Sequence, residues 1–291
     1  NLEKITESPS AVTTYFKSDI RRKSRGGRMG DVFNGSTGID ILQNGANDFI
    51  INTRGFNGGL HRRVLVLQDG RDAAIPLLGA QEWNSFSLPP DEYSSIEFVR
   101  GPAAALYGAN AFNGVINLIS YSPKEALGTK ASFLIGDYET YEGDIRHAGM
   151  ITERISYKVT LGYSHSLNYS NRRDSVKFLE YPGLALERKP LTEEDRQTFA
   201  GYGTMRMDYD FDASKKLTFE AGYSRSGNET FVFGLGRTLV KDTERPYIRL
   251  AYNSENINVH THYMQRSVAD SMWLLVPGAY LLDNSKDFFI D

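Results

Sequence analysis

The chain has 291 residues, 24% of them charged and 40% hydrophobic, with a formal net charge of −3. That balance lacks the basic excess of a nucleic-acid-binding protein, and the absence of cysteine excludes disulfides, zinc–thiolate centres and thiol nucleophiles. No apolar run approaches the ~18 residues of a membrane-spanning helix, although low hydropathy also suits a transmembrane β-barrel, whose lumen-facing polar residues dilute the lipid-facing ones. No secretory leader is visible, so Asn1 is expected to lie inside a mature protein.

Up to about Gly128 the chain reads as short apolar runs separated by Gly, Pro and Asn. The basic cluster RRKSRGGR (Arg21–Arg28) reads as a solvated loop, and MGDVFNG (29–35) as a brief helical piece. Strands are predicted in DFIINTRGF (48–56), RRVLVLQDG (62–70), SSIEFVRG (94–101) and GVINLIS (114–120), which together describe a small mixed α+β unit. Between the last two runs Gly101 offers a backbone angle closed to other residues. Pro102 suits the first position of a helix, Ala103, Ala104 and Ala105 favour a turn or two of it, and Gly108 caps it. A Gly-rich phosphate loop has a similar outline, but it needs Lys and Ser/Thr after its last glycine. Here Val115 follows Gly114.

After Gly128 the pattern becomes long alternation. In ISYKVTLGYSH (155–165) Ile155, Tyr157, Val159, Leu161 and Tyr163 share one face and Ser156, Lys158, Thr160 and Ser164 the other. LTFEAGYSR (217–225), YIRLAY (247–252) and INVHTHY (257–263) repeat it, and period two means one apolar and one polar face. A soluble sandwich also alternates, but its strands run about five or six residues. Short turns at Ile151–Arg154, Phe211–Lys216 and Asn253–Asn256 alternate with long polar connections expected at Leu167–Thr198 and Gly227–Arg245. Tyr163, Tyr169, Tyr209, Tyr223, Tyr252 and Tyr263 fall near strand ends. Short turns on one side, long loops on the other and aromatic girdles describe an outer-membrane barrel. Residues 128–291 hold about eight strands at ~10 residues each. A barrel of that size is filled by its own side chains, so either residues 1–127 sit outside it or, as is expected here, the barrel is larger than the part in this chain.

The run IEFVRGPAAALYGANAFNGVINLIS (96–120) resembles the end of the plug domain of TonB-dependent outer-membrane transporters. The resemblance spans about residues 5–122. ESPSAVTTYFKSDI (7–20) is similar to the plug's opening strand, MGDVFNGSTGIDILQNG (29–45) to its helix and next strand, FIINTRGF (49–56) to the Arg-Gly strand and RVLVLQDGR (63–71) to the Asp-Gly strand. The implied fold is an α+β plug domain with a small mixed sheet (1–127), then antiparallel transmembrane β-barrel strands (128–291), the barrel incomplete in this chain. No energy-coupling box is visible, and Arg100-Gly101 stands where a glycan-importing branch carries Lys-Asp.

The resemblance implies import of a scarce solute such as a ferric siderophore or cobalamin across the bacterial outer membrane. TonB and its inner-membrane motor, outer-membrane lipid and a small-molecule or metal-chelate ligand are the implied partners, with other outer-membrane proteins as further candidates. No enzyme activity, cofactor or metal is implied. Arg54 and Arg100 are expected to meet barrel glutamates and hold the plug, since buried charges need partners. If GIDIL (38–42) runs outward, the loop 43–48 and the segment 71–87 lie outside and Asn57–His61 turns at the periplasmic side. The ligand contacts are then expected from Gln43, Asn44, Asn47, Asp48, Asp72, Ile75, Leu77, Gln81, Trp83 and Asn84. Trp83 is read as an exposed aromatic suited to a mid-sized ligand, with packing of Trp83 and Phe86 as the alternative.

Other chemistry is sparse. His260 and His262, two apart on one strand face, have a spacing that can hold a metal, though their alternation with Val259 and Thr261 reads as lumen lining. TEEDR (192–196) reads as a solvated loop. Two other functions stay open: a non-transporting docking subunit of an outer-membrane assembly built on the same fold, and a soluble β-rich enzyme, for which no active-site constellation is found.

Overall fold

The computed structural model describes residues 11–24, 27–43, 45–53, 64–75, 81–101, 107, 111, 113–167, 197–232, 236–268, 272–274 and 281–282. The chain divides into two compact units. Unit 1 comprises Asn1–Gln43, Phe49–Glu82 and Pro89–Tyr121, and unit 2 comprises Asn44–Asp48, Trp83–Leu88 and Ser122–Asp291.

Unit 1 opens with β1 (Ala11–Phe16) and α1 (Lys17–Lys23). The helix places Asp19 in its first turn and Arg21, Arg22 and Lys23 in its last, the distribution that its backbone dipole favours, and Ile20 is its buried anchor. Arg21–Lys23 of the basic cluster expected to be a solvated loop are therefore helical. The charges suit the C-terminal end of a helix as well as they suit water. A 3₁₀ turn at Met29–Phe33 follows, then β2 (Ile39–Gln43), β3 (Phe49–Thr53), β4 (Val64–Gln68), β5 (Arg71–Asp72), β6 (Tyr93–Arg100) and β7 (Gly114–Ser120).

A mixed sheet runs in the order β1-β6-β7-β4-β5, with β2 and β3 as a separate antiparallel pair. Only the β4–β7 pairing within that five-stranded sheet is parallel. Val32, Phe33, Ile96, Phe98, Ile116 and Leu118 are fully buried in its core. The Phe33 ring meets Tyr15 edge-on at 5.7 Å and Phe98 at 6.2 Å. Gly101 has φ +114°, the angle that only glycine takes without strain, and its N–H bonds Asn113 O at 3.0 Å. Pro102, Ala103–Ala105 and Gly108 lie outside the described residues.

The strands of unit 2 are β8 (Gly128–Gly136), β9 (Thr140–Met150), β10 (Ile155–Leu167), β11 (Gln197–Asp210), β12 (Lys216–Val232), β13 (Gly236–Glu244), β14 (Tyr247–Asn253), β15 (Asn258–Met264), β16 (Ser267–Val268), β17 (Met272–Leu274) and β18 (Leu281–Leu282). Among the described residues they form one eleven-stranded antiparallel sheet, against the roughly eight strands expected, since β16, β17 and β18 are only two or three residues long. The long connection expected at Gly227–Arg245 is instead mostly paired strand. β12 pairs with β14 through Lys216–Gly222 and with β13 through Arg225–Val232. The ladder continues through Arg245, whose N–H bonds Ser224 O at 2.8 Å. Pro246, with no N–H to give, separates β13 from β14. The polar composition of this hairpin hides its backbone pairing from an alternation test. Tyr169 and the segment 192–196 lie outside the described residues.

Burial on these strands is inverted relative to a soluble sheet. Lys158 and Thr160 are 2% and 0% exposed, whereas their neighbours Leu161 and Tyr163 are 53% and 46% exposed. On β14 Arg249 and Ala251 are buried while Ile248 and Leu250 are exposed. Register puts Phe133, Ile145, Leu161, Met205, Phe219, Leu250 and Val259 on the same outward face. A polar face turned in and an apolar face turned out is the arrangement of a barrel wall in lipid. At the short-turn end Phe211 stands edge-on to Tyr209 at 4.6 Å and to Tyr252 at 6.3 Å. At the other end Tyr141 and Tyr163 stack at 6.1 Å. His260 and His262 pair with Ala251 and Arg249, so they share the inward, polar face. No group of three metal-ligating side chains occurs among the described residues.

Candidate functional site

The residues expected to contact a solute are divided between the two units. Gln43 is exposed at the end of β2, Asp72 is half-buried on β5, and Ile75 and Gln81 are buried, all in unit 1. Asp72 is turned to its own backbone, where Oδ1 accepts from Ala74 N at 2.9 Å. Asn47, half-buried, and Asp48, buried, belong to unit 2 with Trp83 and Asn84. Within the first of these segments Gly45 N bonds Asp48 O at 3.2 Å. Asn44 and Leu77 lie outside the described residues.

Of the two readings open for Trp83, an exposed anchor or a packed ring, the structure has the packed one: Trp83 is 5% exposed. Its ring stacks on Phe86, centroids 5.2 Å apart and planes within 10°. Stacking removes more apolar area from water than either ring could cover alone. Asn84 is equally committed. Its Nδ2 donates to Phe199 O at 3.0 Å and to Gly227 O at 3.3 Å. These carbonyls belong to the last registered pair of the β11–β12 ladder, beside the bulge between Ser226 and Asn228. An amide nitrogen carries two hydrogens, so a single side chain serves both carbonyls where the ladder ends.

The rest of the segment 83–88 is bound in the same way. Ser85 Oγ and Ser226 Oγ share a hydrogen bond of 2.8 Å, and Ser224 Oγ donates to Ser85 O at 2.7 Å. Ser87 Oγ donates to Tyr247 OH at 3.5 Å; that hydroxyl donates to Glu220 Oε1 at 2.6 Å, and Arg249 Nη1 holds Oε2 at 3.2 Å. Ser85, Ser87, Ser224, Ser226, Glu220 and Arg249 are all buried. None of these partners was singled out from the sequence. The one available signal was spacing: Ser85 and Ser87, like Ser224 and Ser226, stand two apart, as residues on one face of extended chain do.

Further along the inward face Arg206 forks onto Asp208 at 2.8 and 3.0 Å, and Lys216 stands 3.7 Å from both Asp208 and Asp210. Lys124 closes the row on Asp210 at 2.7 Å. Tyr202 OH donates to Asp144 Oδ1.

In unit 1 the Arg100 guanidinium donates to Thr37 O at 2.5 Å and to Thr13 Oγ1 at 3.0 Å. It therefore ties β1 to the turn that precedes β2. Close by, Tyr15 OH donates to Ser36 Oγ. Burial pushes the Tyr15 phenol up, while the Ser36 bond and the Arg100 charge pull it the other way. Arg54 lies outside the described residues.

Residues 4–115 match the TonB-dependent Receptor Plug Domain family. The chain is 30% identical over 170 residues to the vitamin B12 transporter BtuB of Vibrio cholerae, covering 58% of this chain and 27% of that protein. It is 25% identical over 252 residues to the ferric enterobactin receptor PirA of Pseudomonas aeruginosa, covering 78% of this chain and 32% of that protein. Among solved structures the copper transporter OprC superposes with a TM-score of 0.62 at 15% identity, over 92% of this chain and 39% of that one. The chain thus spans about a third or less of the curated relatives that it matches. A TonB-dependent receptor plug domain at residues 4–115 thus leads into strands whose polar face is buried and whose apolar face is exposed, and the two together have the fold of part of a TonB-dependent receptor.

Proposed function

We propose that the protein to which this chain belongs is an energy-coupled importer of a scarce solute, a ferric siderophore or cobalamin. The observation that carries the reading is a plug-family domain continuous with lipid-facing barrel strands in one chain. In this reading the plug blocks passive flow, and the outer membrane holds no useful ion gradient, so work must reach the plug from the inner-membrane motor through TonB. The names of the relatives, a vitamin B12 transporter and a ferric enterobactin receptor, support the solute class. In this reading residues 1–127 are the plug and 128–291 the start of the barrel. Gln43, Asn44, Asn47, Asp48, Asp72, Ile75, Leu77 and Gln81 supply the solute contacts. Trp83 and Asn84 pass from solute contact to anchoring, because their ring and amide are already engaged. Arg54 and Arg100 hold the plug.

The test is uptake of radiolabelled cyanocobalamin and ferric enterobactin by cells that carry the full-length gene as their sole receptor, with and without TonB. Accumulation that depends on TonB is the expected result. Tight binding of neither probe and no TonB-dependent uptake, with the protein instead recovered in a stable outer-membrane assembly, would replace transport with the docking role.

A further inference from the structure

We propose that residues 83–88 form a fixed strap, a piece of the plug-domain region that stays docked on β11 and β12 throughout the working cycle, so that any movement opening a path takes place in the residues on either side of it. The uptake arm of the test below rests on the transporter reading; the labelling arm does not.

Three observations carry the strap. First, Trp83–Leu88 is grouped with the strands, while the residues before and after it, through Glu82 and from Pro89, are grouped with unit 1. Second, Asn84, Ser85 and Ser87 each bond to the strands through side chain or backbone, and these contacts are buried except that of Asn84 to Phe199 O, which is part-buried. Asn84 gives both its amide hydrogens to the Phe199 and Gly227 carbonyls of the last registered β11–β12 pair, where buried acceptors call for donors. Third, no residue of WNSFSL is charged. Neutral hydrogen bonds and the Trp83–Phe86 stack are indifferent to salt and to pH in the physiological range, so no change of ionic conditions releases them.

The strand side is tightly built where Asn84 binds. Gly227 has no room for a side chain, since a Cβ there would stand 2.6 Å from both Lys241 O and the Phe199 ring. A register shift of the β12–β13 ladder falls at the same point, between Ser226 and Asn228, beside the carbonyls that Asn84 takes. The exit from the strap is stiff. Pro89 and Pro90 follow Leu88 directly, Pro89 at φ −71° and ψ 158°, and a proline holds the residue before it extended. Motion beyond the strap is therefore poorly transmitted into it as rotation.

The chain contains no cysteine, so a pair introduced at Ser85→Cys and Ser226→Cys is the sole thiol pair in the described chain. Hydroxyl oxygens 2.8 Å apart stand where two sulfurs can be joined with little backbone movement. In the full-length protein, in cells, diamide should close the bridge, and TonB-dependent uptake of cyanocobalamin or ferric enterobactin should stay within about twofold of the reduced protein. Uptake lost on oxidation and restored by dithiothreitol would overturn the strap, because it would mean that 83–88 must leave the strands. A second measurement needs no solute: the single Ser85→Cys variant should be equally protected from a membrane-impermeant maleimide with and without TonB. Labelling accelerated tenfold or more by TonB would also overturn it. If the wild type takes up neither probe, the transporter reading fails alone, and rapid labelling of the Ser85→Cys variant, with or without TonB, still overturns the strap.

Discussion

The ring of Tyr247 occupies the space that a side chain at Gly222 would fill: a Cβ on Gly222 would stand 2.3 Å from Tyr247 Cε1. The two residues are cross-strand partners on β12 and β14, and the missing side chain lets the Tyr247 hydroxyl reach Glu220 at 2.6 Å. The same device recurs at Gly162, where Tyr202 crosses the glycine to reach Asp144. Glycine weakens a strand by its entropy, and an aromatic ring laid over it restores the lost packing.

Gly222→Ala should therefore cost about 1–3 kcal/mol, the range for an overpacked site, by displacing Tyr247 from Glu220. Denaturant unfolding of the full-length protein in detergent, followed by tryptophan fluorescence, measures it. An unchanged midpoint would mean that the ring moves aside freely.

Glu220 and Arg249 are 3% and 7% exposed and paired at 3.2 Å. Arg249→Met should destabilise by about 3–5 kcal/mol, because it strands a buried carboxylate. The double variant Arg249→Met/Glu220→Leu should recover most of that loss, since removing both charges removes the desolvation cost as well. A double variant as unstable as the single one would contradict this account.

Leu161 is 53% exposed near the centre of the outward face. In a bilayer Leu161→Arg should cost about 2–4 kcal/mol, and folding yield into vesicles should fall accordingly. In a soluble sheet the same change would be close to neutral, so a neutral result would remove the lipid-facing assignment.

Asp212 lies exposed in the turn between β11 and β12 and accepts from Ser214 N at 2.8 Å and Ser214 Oγ at 2.9 Å, with Lys215 at 3.3 Å. The backbone bond foremost, then the hydroxyl, lower its pKa from 3.8 to about 2. A depressed carboxylate pKa contributes stability that is present above the unfolded value and is lost as pH falls through the folded one. The turn should therefore weaken between about pH 4 and pH 2. Ser214→Ala should move the titration back toward 3.8, as read from the side-chain carboxyl carbon by NMR.

Asn84→Ala leaves the Phe199 and Gly227 carbonyls without their donor, a cost of about 1–3 kcal/mol for buried groups. Amide exchange should quicken at residues 83–88 and at the adjoining ends of β11 and β12, and remain unchanged on β8 and β9. Exchange that quickened equally everywhere would indicate global destabilisation and not a local anchor.

The sequence by itself determined the two kinds of chain, the order of the plug motifs and the inward and outward faces of the long strands. Those features are local: Lys158 and Leu161 differ in face because successive residues of a strand point opposite ways, and the apolar face goes outward where lipid is the solvent. The tertiary structure decided what depends on residues far apart in the chain. Ser85 and Ser226 are separated by 141 positions, so nothing near either one announces their bond. Trp83 looks like a surface anchor when only its amide neighbours are seen, and its burial shows only in the fold, where Phe86 stacks on it, Ser85 is held by β12 and Ser87 by Tyr247 of β14. The hairpin of β12 and β13 escaped alternation because backbone pairing, which is blind to side-chain polarity, holds it together. Arg100 could be recognised as a charge that needs partners, but only the fold of β1 beside the 34–38 turn supplied Thr13 and Thr37 as the atoms that meet it.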